Sequence, residues 1–252
     1  MLRWKEERQG ETALLIEGAR RIGKSTIVEE FAKNEYSSYI LVDFSKTATE
    51  INDLFNDLSD LNYIFLRLQL NYNVSLKERK SLIIFDEVQN NPKARQAIKH
   101  LVKDHRYDYI ETGSLISIRK NVQNIIIPSE ETRITMHPMD FEEFRWAMGD
   151  NVSFTLLKTV LEKKQPLGEA IHRKLMRDFR LYMLVGGMPQ AVDKYIKTND
   201  LSAVDTVKRD IIALYEEDLR KIDTSGKATA MFDAIPSQLS KNASRYTIST
   251  VI

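Results

Sequence analysis

One stretch near the start of the chain constrains the fold more than any other. Residues 18–25 read Gly-Ala-Arg-Arg-Ile-Gly-Lys-Ser, the pattern G-x-x-x-x-G-K-S. The two glycines let the backbone turn tightly and bring its N–H groups against phosphate oxygens. The pattern therefore predicts a phosphate-binding loop, and such a loop follows a β-strand and begins a helix.

The sequence on both sides of the loop fits this context. Residues 12–16 form an apolar run that suits a buried parallel strand, and Ile27, Val28, Phe31 and Ala32 recur at helical spacing after it. We expect Lys24 to reach the β and γ phosphates and Ser25 to ligate Mg²⁺. The positive end of the following helix would face the anion. The alternative is an ordinary strand–helix turn that contains glycine.

Strand and helix patterns alternate over roughly the first 150 residues. Further strands are predicted at 39–44, 81–87, 107–112 and 132–137, with helical stripes between them, one of which (52–70) has room for a break. This alternation predicts an α/β fold with a parallel sheet that helices cover on both faces. From residue 154 onwards only helices are predicted, at 156–164, 167–185, 191–197, 201–222 and 228–239.

The strand predicted at 81–87 ends in two carboxylates, Asp86 and Glu87. An apolar strand that ends in Asp supplies a carboxylate to the Mg²⁺ of phosphoryl-transfer sites, and a hard cation among phosphates needs such an oxygen. Glu87 is placed to polarise an attacking water as general base. The pair favours hydrolysis over transfer to a small-molecule acceptor. The alternative is a strand that ends in solvated charges.

The strand predicted at 107–112 leads into hydroxyl side chains. Ligands of open α/β sheets bind beyond the carboxyl ends of the strands, where Thr112 and Ser114 would lie. Either hydroxyl could bond the γ-phosphate or the attacking water, and the sequence does not decide between them. A plain Gly-Ser turn is the alternative.

With these motifs in order, the chain resembles AAA-type P-loop ATPases of the group related to archaeal and STAND-type ATPases. The resemblance extends through Arg133, residues 138–144 and the Gly-Gly-Met-Pro of 186–189. It implies ATP and Mg²⁺ as cofactors, with Ser25 and Asp86 on the metal, Glu87 as base and a sensor at Thr112 or Ser114. The nucleotide would lie against Gly18, Ala19, Arg20, Arg21, Ile22, Gly23, Lys24, Ser25 and Thr26.

Two further roles come only from this resemblance. Pro189 would touch the adenine or ribose side of the nucleotide, although Gly-Gly followed by Pro also describes a turn between two helices. Arg133 matches an arginine that acts as a sensor or a finger, although a plain surface arginine is equally compatible with the sequence.

The resemblance also divides the chain into three parts. We expect a P-loop ATPase core at 1–150, an all-helical lid domain at 151–225 and the incomplete start of a winged-helix-like segment at 226–252. Members of the group often carry a larger C-terminal domain of uncharacterised, nuclease-like role, and we expect no counterpart of it within residues 1–252. The resemblance therefore implies DNA as a partner through 226–252, and assembly into a homo-oligomer is compatible with the family.

Composition and charge argue against several other classes of function. The formal net charge is +1, so nucleic-acid binding would need a local patch, and the basic residues 172–180 are interleaved with acidic ones. There are no cysteines, and the four histidines lack metal-ligand spacing, so we expect no metal site besides Mg²⁺. No apolar run approaches the roughly 20 residues that span a bilayer. We expect a soluble, cytoplasmic protein without membrane contact.

We therefore expect a protein that binds ATP and hydrolyses it to ADP and phosphate, and that uses the hydrolysis to shift the helical domain relative to the core. The main alternative is a nucleotide-regulated DNA- or protein-binding module with negligible turnover. A P-loop kinase for a small metabolite is a third alternative, disfavoured by the Asp86–Glu87 pair.

Overall fold

A computed structural model describes residues 1–114 and 130–240 of the chain. The chain divides into two compact units, Met1–His137 and Pro138–Ile252. The elements of the first unit are α1 (Leu2–Arg8), β1 (Ala13–Gly18), α2 (Lys24–Glu35), β2 (Ser38–Asp43), α3 (Thr49–Asp53), α4 (Leu61–Tyr72), β3 (Ser81–Asp86), α5 (Pro92–Asp104), β4 (Asp108–Ser114) and β5 (Glu131–Met136), with short 3₁₀ turns at Leu54–Asn56 and Val88–Asn90.

The five strands form one parallel sheet in the order β2-β3-β4-β1-β5. In the register between neighbours, Gly18 of β1 stands beside Ser114 of β4, and Phe85 of β3 stands beside Glu111 of β4. Because β3, β4 and β1 are neighbours and run in the same direction, their carboxyl ends meet at one edge. The predicted α/β fold class is confirmed.

Both faces of this sheet are buried, as the apolar strands require. Side chains alternate along each strand, so Ala13 belongs to a core with α3, α4 and α5, while Leu14 and Ile16 belong to a core with α1 and α2. On the first face, Phe44, Phe55 and Phe85 meet edge to face with ring centroids 5.2–5.9 Å apart. The strand ends are therefore held by two rigid layers.

Every regular element that the structure describes in the second unit is a helix. They are α6 (Phe141–Ala147), α7 (Ser153–Glu162), α8 (Glu169–Val185), α9 (Pro189–Thr198), α10 (Leu201–Ile222), α11 (Lys227–Asp233) and α12 (Ile235–Leu239). Their core contains Phe144, Val185 and Val192. The buried guanidinium of Arg145 pairs with Asp150 and Asp178, which fixes the end of α6 against α8.

The Gly-Gly-Met-Pro stretch of 186–189 has a complete local explanation. Gly186 ends α8 with φ +83°, a positive value that favours glycine, and Pro189 is the first residue of α9. A Cβ on Gly187 would lie 2.1 Å from the carbonyl oxygen of Met139, whose own N–H donates to the Gly187 carbonyl at 2.8 Å. Each position except Met188 is therefore restricted by backbone geometry alone.

Most predicted elements are confirmed, although several differ by two or three residues in extent. β1 and β4 each continue two residues beyond their predicted ends, to Gly18 and Ser114. The single helix predicted at 228–239 is wrong, because α11 ends at Asp233 and a second short helix begins at Ile235. Pro236 lacks a backbone N–H and is tolerated only in the first turn of a helix, so a new helix starts there.

This structure does not test the expectations about domain boundaries. The division at residues 150 and 225 and the winged-helix-like character of 226–252 stay predictions, and residues 241–252 lie outside the described part of the chain. No helix within the described ranges is long and apolar enough to cross a membrane.

We predict that Gly187→Ala destabilises the second unit by about 1–3 kcal/mol, because the new methyl group overlaps the Met139 carbonyl. Chemical denaturation followed by circular dichroism measures this change. Gly226→Asn is the matched control and should change the stability little. Gly226 has a left-handed backbone conformation that Asn tolerates, and an added Cβ would meet no described atom within 4 Å. A Gly187→Ala protein as stable as the wild type would contradict the close-approach argument.

Candidate active site

Three strand ends and one helix start form the candidate site. Gly18 ends β1, Asp86 ends β3 and Ser114 ends β4, while α2 begins at Lys24 directly after the loop that follows β1. The sheet order makes these three strands neighbours. The structure thus brings the three sequence motifs to one edge, as the pattern predicted.

The loop 18–25 takes the conformation that its glycines permit. A Cβ on Gly18 would lie 2.3 Å from the carbonyl oxygen of Met136 and 2.6 Å from the Ile22 side chain, which is itself completely buried. Gly23 caps α2 in the left-handed region with φ +89°, and Arg21 adopts φ +66°. The first backbone N–H groups of α2 therefore open towards this edge of the sheet, where they can receive an anion.

Lys24 lies inside the loop that precedes it. Its ammonium donates to the carbonyl oxygens of Ala19 at 2.8 Å and Gly18 at 3.3 Å, and only 5% of the residue is exposed. Burial lowers the pKa of Lys24, and the charges of Glu87 and Asp86 oppose that effect. The positive charge therefore stands at the mouth of the loop, close to both carboxylates.

Asp86 is the meeting point of the site. The Ser25 hydroxyl donates to Asp86 Oδ1 at 2.7 Å, and the buried Thr112 hydroxyl donates to the same oxygen. Asp86 is itself buried, so these bonds to a charged acceptor are strong ones. One carboxylate oxygen therefore links the start of α2, the end of β3 and the end of β4.

Glu87 follows Asp86 but is held by a different partner. It adopts a left-handed backbone conformation with φ +53°, and its N–H donates to the Thr112 hydroxyl oxygen at 3.3 Å. The Gln89 side-chain amide donates to Glu87 Oε2. A non-glycine residue in this conformation is uncommon, and such residues cluster at functional sites. The sequence does not predict this role for Gln89, because no local pattern indicates that its side chain bonds to the residue two positions earlier.

The structure shows different surroundings for Thr112 and Ser114, the two hydroxyl side chains between which the sequence does not decide. Thr112 contacts Asp86 and Glu87, whereas Ser114 is buried two residues further along β4, beside Gly18. Thr112 is the hydroxyl that joins the two carboxylates. A hydrogen bond from Thr112 or Ser114 to the γ-phosphate or to the attacking water stays a prediction.

Two further predicted residues, Arg133 and Pro189, belong to neither the loop 18–25 nor the ends of β3 and β4. Arg133 lies within β5 and its Nε donates to Glu131 at 2.6 Å, so it is engaged in an ion pair of the first unit. Pro189 is in the second unit, at the start of α9. Their roles as finger and nucleotide contact stay predictions.

The residues at this edge fit a hydrated Mg²⁺ and a phosphate chain by their chemistry. Ser25 and Asp86 supply a hydroxyl and a carboxylate oxygen within 2.7 Å of each other, the hard oxygen donors that Mg²⁺ prefers. Lys24 and the loop N–H groups supply positive charge for phosphates. Across the described ranges there is no group of three or more His, Asp or Glu side chains that could hold a metal ion by themselves.

Comparison with known proteins gives a family match over this part of the chain. A family model described as an AAA domain matches residues 10–145, more than half of the chain. A second model, described as a domain of unknown function (DUF8612), matches residues 176–251. No curated protein sequence matches the chain.

Several solved structures are similar in fold at low identity. C. elegans PCH-2 is 10% identical over 80% of this chain, with a TM-score of 0.40, and this chain spans 62% of its length. Drosophila ORC bound to DNA is 16% identical over 97% of this chain and 67% of that chain, with a TM-score of 0.44. The Aeropyrum pernix ORC1 protein in complex with DNA is 12% identical over 99% and 79%, with a TM-score of 0.40. At such scores these likenesses say nothing about activity or partners.

We predict that Thr112→Val lowers the free energy of unfolding by about 1.5–3 kcal/mol, because it removes a hydrogen bond to a buried charge without changing the shape of the side chain. The measurement is chemical denaturation followed by tryptophan fluorescence in a Trp146→Phe background. Buried Trp4 is then the only tryptophan, so the fluorescence reports the unfolding of the first unit. Thr112→Ser keeps the donor and should lose only about 0.8 kcal/mol for one methyl group. Equal losses in both variants would contradict the assigned bond.

Proposed function

This chain belongs to the AAA domain family, and on that premise we propose that its first unit binds ATP with Mg²⁺ and hydrolyses the γ-phosphate. The observation that carries the proposal is the 2.7 Å hydrogen bond between Ser25 and Asp86. It places the hydroxyl of the phosphate-binding loop and the carboxylate of β3 at a distance that two ligands of one Mg²⁺ would share. Mg²⁺ would supply charge neutralisation for the phosphates at this point.

Lys24 supports the phosphate-binding role. Its two acceptors are main-chain carbonyls of the loop, which are neutral. Phosphate oxygens carry charge and bind an ammonium more strongly, so they would replace these carbonyls. The low exposure of Lys24 means that the exchange takes place in a partly desolvated site, where attraction between opposite charges is stronger than in water.

Glu87 is the proposed general base. It is the carboxylate next to Asp86 in the chain, and Thr112 receives its N–H, so its backbone is fixed relative to the metal ligand. A base must reach the water that it polarises, and an apo geometry often tightens only when the substrate is bound. Turnover would be slow without an arginine from a neighbouring subunit.

A second candidate function rests on the contact between Gln89 and Glu87. The amide of Gln89 occupies Glu87 Oε2. A carboxylate whose oxygen accepts such a bond is a weaker base, and if the bond persists with nucleotide present the protein would serve as a nucleotide-dependent latch for DNA or a protein partner. Nucleotide affinity compared with ATP turnover, measured with and without DNA, separates the two functions.

The response of the second unit is a further part of the proposal. A helical unit that contacts the γ-phosphate would move when the phosphate leaves. Pro189 is the proposed contact to the adenine or ribose side of the nucleotide, although backbone geometry already accounts for a proline at that position. DNA binding through residues 226–252 and assembly into a homo-oligomer belong to the same proposal.

We predict that Lys24→Ala abolishes ATP binding, because the loop loses its only lysine charge while β1 and α2 remain intact. Calorimetric titration with a slowly hydrolysed ATP analogue and Mg²⁺ measures the affinity. Lys33→Ala is the matched control, because Lys33 lies on the same helix but pairs with Glu29 and Glu30 on the surface. Unchanged affinity in Lys24→Ala would place the phosphates elsewhere.

We predict that Glu87→Gln retains ATP binding and lowers turnover by about 100-fold or more, since an amide cannot accept the proton of the attacking water. Phosphate release under saturating Mg–ATP measures the rate. Glu50→Gln, an exposed change of the same kind, should leave the rate unaltered. Hydrolysis at the wild-type rate by Glu87→Gln would show that the base is another group, and tight binding with no wild-type turnover in any condition would favour the latch.

A further inference from the structure

Four charged side chains interact within the first unit, and one of them, Glu111, directly precedes the candidate sensor Thr112 in the chain. The side chains of Arg95 of α5, Glu111 of β4 and Glu131 of β5 are buried, whereas that of Arg133 of β5 is 45% exposed; we call the four together the buried charge cluster. Leu15 of β1 stands between Glu111 and Arg133 in the register, so the two strands that carry them are separated by one strand. Glu111 is completely buried and Arg95 is 2% exposed.

The bonds within the buried charge cluster are distributed unevenly. Glu131 accepts from Arg95 Nη2 at 3.0 Å and from Arg133 Nε at 2.6 Å, so one carboxylate takes both arginines. Among the described residues, neither carboxyl oxygen of Glu111 has a hydrogen-bond partner, and neither do Nε and Nη1 of Arg95. Acceptors and donors that could satisfy one another therefore remain unused in the same buried space.

This arrangement determines the charge of Glu111. A fully buried carboxylate without hydrogen bonds is so costly that the group takes up a proton instead. Burial raises the pKa of Glu111 to about 8, Glu131 adds to the effect, and Arg95 and Arg133 oppose it. Tyr109, two residues earlier on the same strand face, is also buried and its pKa is raised well above its usual value, so it stays neutral.

The cluster has a second arrangement that the same atoms allow. An ionised Glu111 would attract the guanidinium of Arg95, whose Nε and Nη1 bond to no other described residue, while Arg133 keeps Glu131 paired. A bidentate arginine–carboxylate pair is a strong and directional contact. Passing between the two arrangements would shift the Arg95 side chain of α5 relative to β4.

Such an adjustment would reach the candidate site through the main chain. Glu111 is bonded directly to Thr112, and Thr112 donates to Asp86 and accepts from the Glu87 N–H. A shift of a few tenths of an ångström in β4 changes the geometry of both bonds, because hydrogen bonds depend steeply on distance and angle.

We propose that Glu111 is a positioning residue for Thr112, and that its interaction with Arg95 sets where the Thr112 hydroxyl stands relative to Asp86 and Glu87. Glu111 touches neither nucleotide nor metal in this scheme and acts through β4 alone. The statement about nucleotide rests on the proposed function, whereas the link between Glu111 and Thr112 does not.

A purely structural role for the buried charge cluster would predict something different. Apolar side chains of similar volume commonly replace buried ion pairs without loss of stability, so packing alone does not require these four residues. A structural cluster would also alter stability, and the charge of Glu111 would then shift its two neighbours in the chain, Ile110 and Thr112, to a similar extent. The test therefore needs an observable on Thr112 that is compared with the same observable on Ile110.

The experiment follows the γ2-methyl resonances of Thr112 and of Ile110, the other neighbour of Glu111 in the chain, by NMR in the full chain labelled at threonine and isoleucine methyl groups, over pH 6–9 and without nucleotide. A Thr112 titration no larger than that of Ile110 would be a field effect of the Glu111 charge and would overturn the positioning role. We expect the Thr112 shift to titrate with a midpoint near the pKa of Glu111, about 8. Glu111→Gln, the neutral isostere of the protonated acid, should abolish this titration. Arg95→Gln should move the midpoint to higher pH, because the positive charge that favours ionised Glu111 is gone. Thr112→Ser assigns the resonance.

A second measurement extends the test to the nucleotide. The affinity for a fluorescent ATP analogue with Mg²⁺, measured at the same pH values, should change more steeply across pH 8 in the wild type than in Glu111→Gln. A Thr112 shift that does not titrate, or that titrates identically in Glu111→Gln, overturns the positioning role. If the Thr112 shift titrates as expected but no nucleotide binds, the proposed function fails while the link between Glu111 and Thr112 stands.

Discussion

The Asp86 carboxylate is the interaction on which the architecture of the site depends. One of its oxygens accepts from Ser25 at the start of α2 and from Thr112 near the end of β4. These three residues are far apart in sequence, and only a parallel sheet with β3, β4 and β1 as neighbours brings them together. A cation that takes Asp86 must compete with both hydroxyl donors. Binding of a cation to Asp86, the proposed metal ligand, would therefore be coupled to the positions of α2 and of β4.

Local sequence patterns were sufficient for the elements of this site but not for its contacts. The loop 18–25 and the acidic end of β3 are each encoded in a few adjacent residues, so their place on strand, loop and helix could be predicted. Thr112 and Ser114 lie two residues apart on the same strand, and the choice between them depends on how far β3 reaches along β4, which is a property of the register. The Gln89 contact with Glu87 depends on the left-handed backbone conformation at Glu87. The residue types at this position do not predict that conformation.

The stretch 186–189 shows the opposite situation. A motif that resembles a nucleotide contact turns out to have a backbone reason for both glycines and for the proline. A role of Pro189 towards the nucleotide would be additional to these reasons, so the presence of the motif does not by itself argue for it. By contrast, Lys24 has no structural need to be a lysine: its ammonium is buried against neutral carbonyls at a desolvation cost, which a role in binding an anion explains.

The same reasoning by cost applies to the buried charge cluster. A parallel sheet covered on both faces is stable with apolar side chains throughout, and β1 and β3 follow that rule over most of their length. β4 departs from it at Glu111, where an ionisable group without a hydrogen-bond partner among the described residues is placed in the interior. Because replacing such groups by apolar residues is often neutral or stabilising, their presence is a local conflict between sequence and fold. Conflicts of this kind are expected at functional positions. Since Glu111 is bonded to the residue that joins Asp86 and Glu87, the conflict lies where a small change in β4 reaches both of these hydrogen bonds.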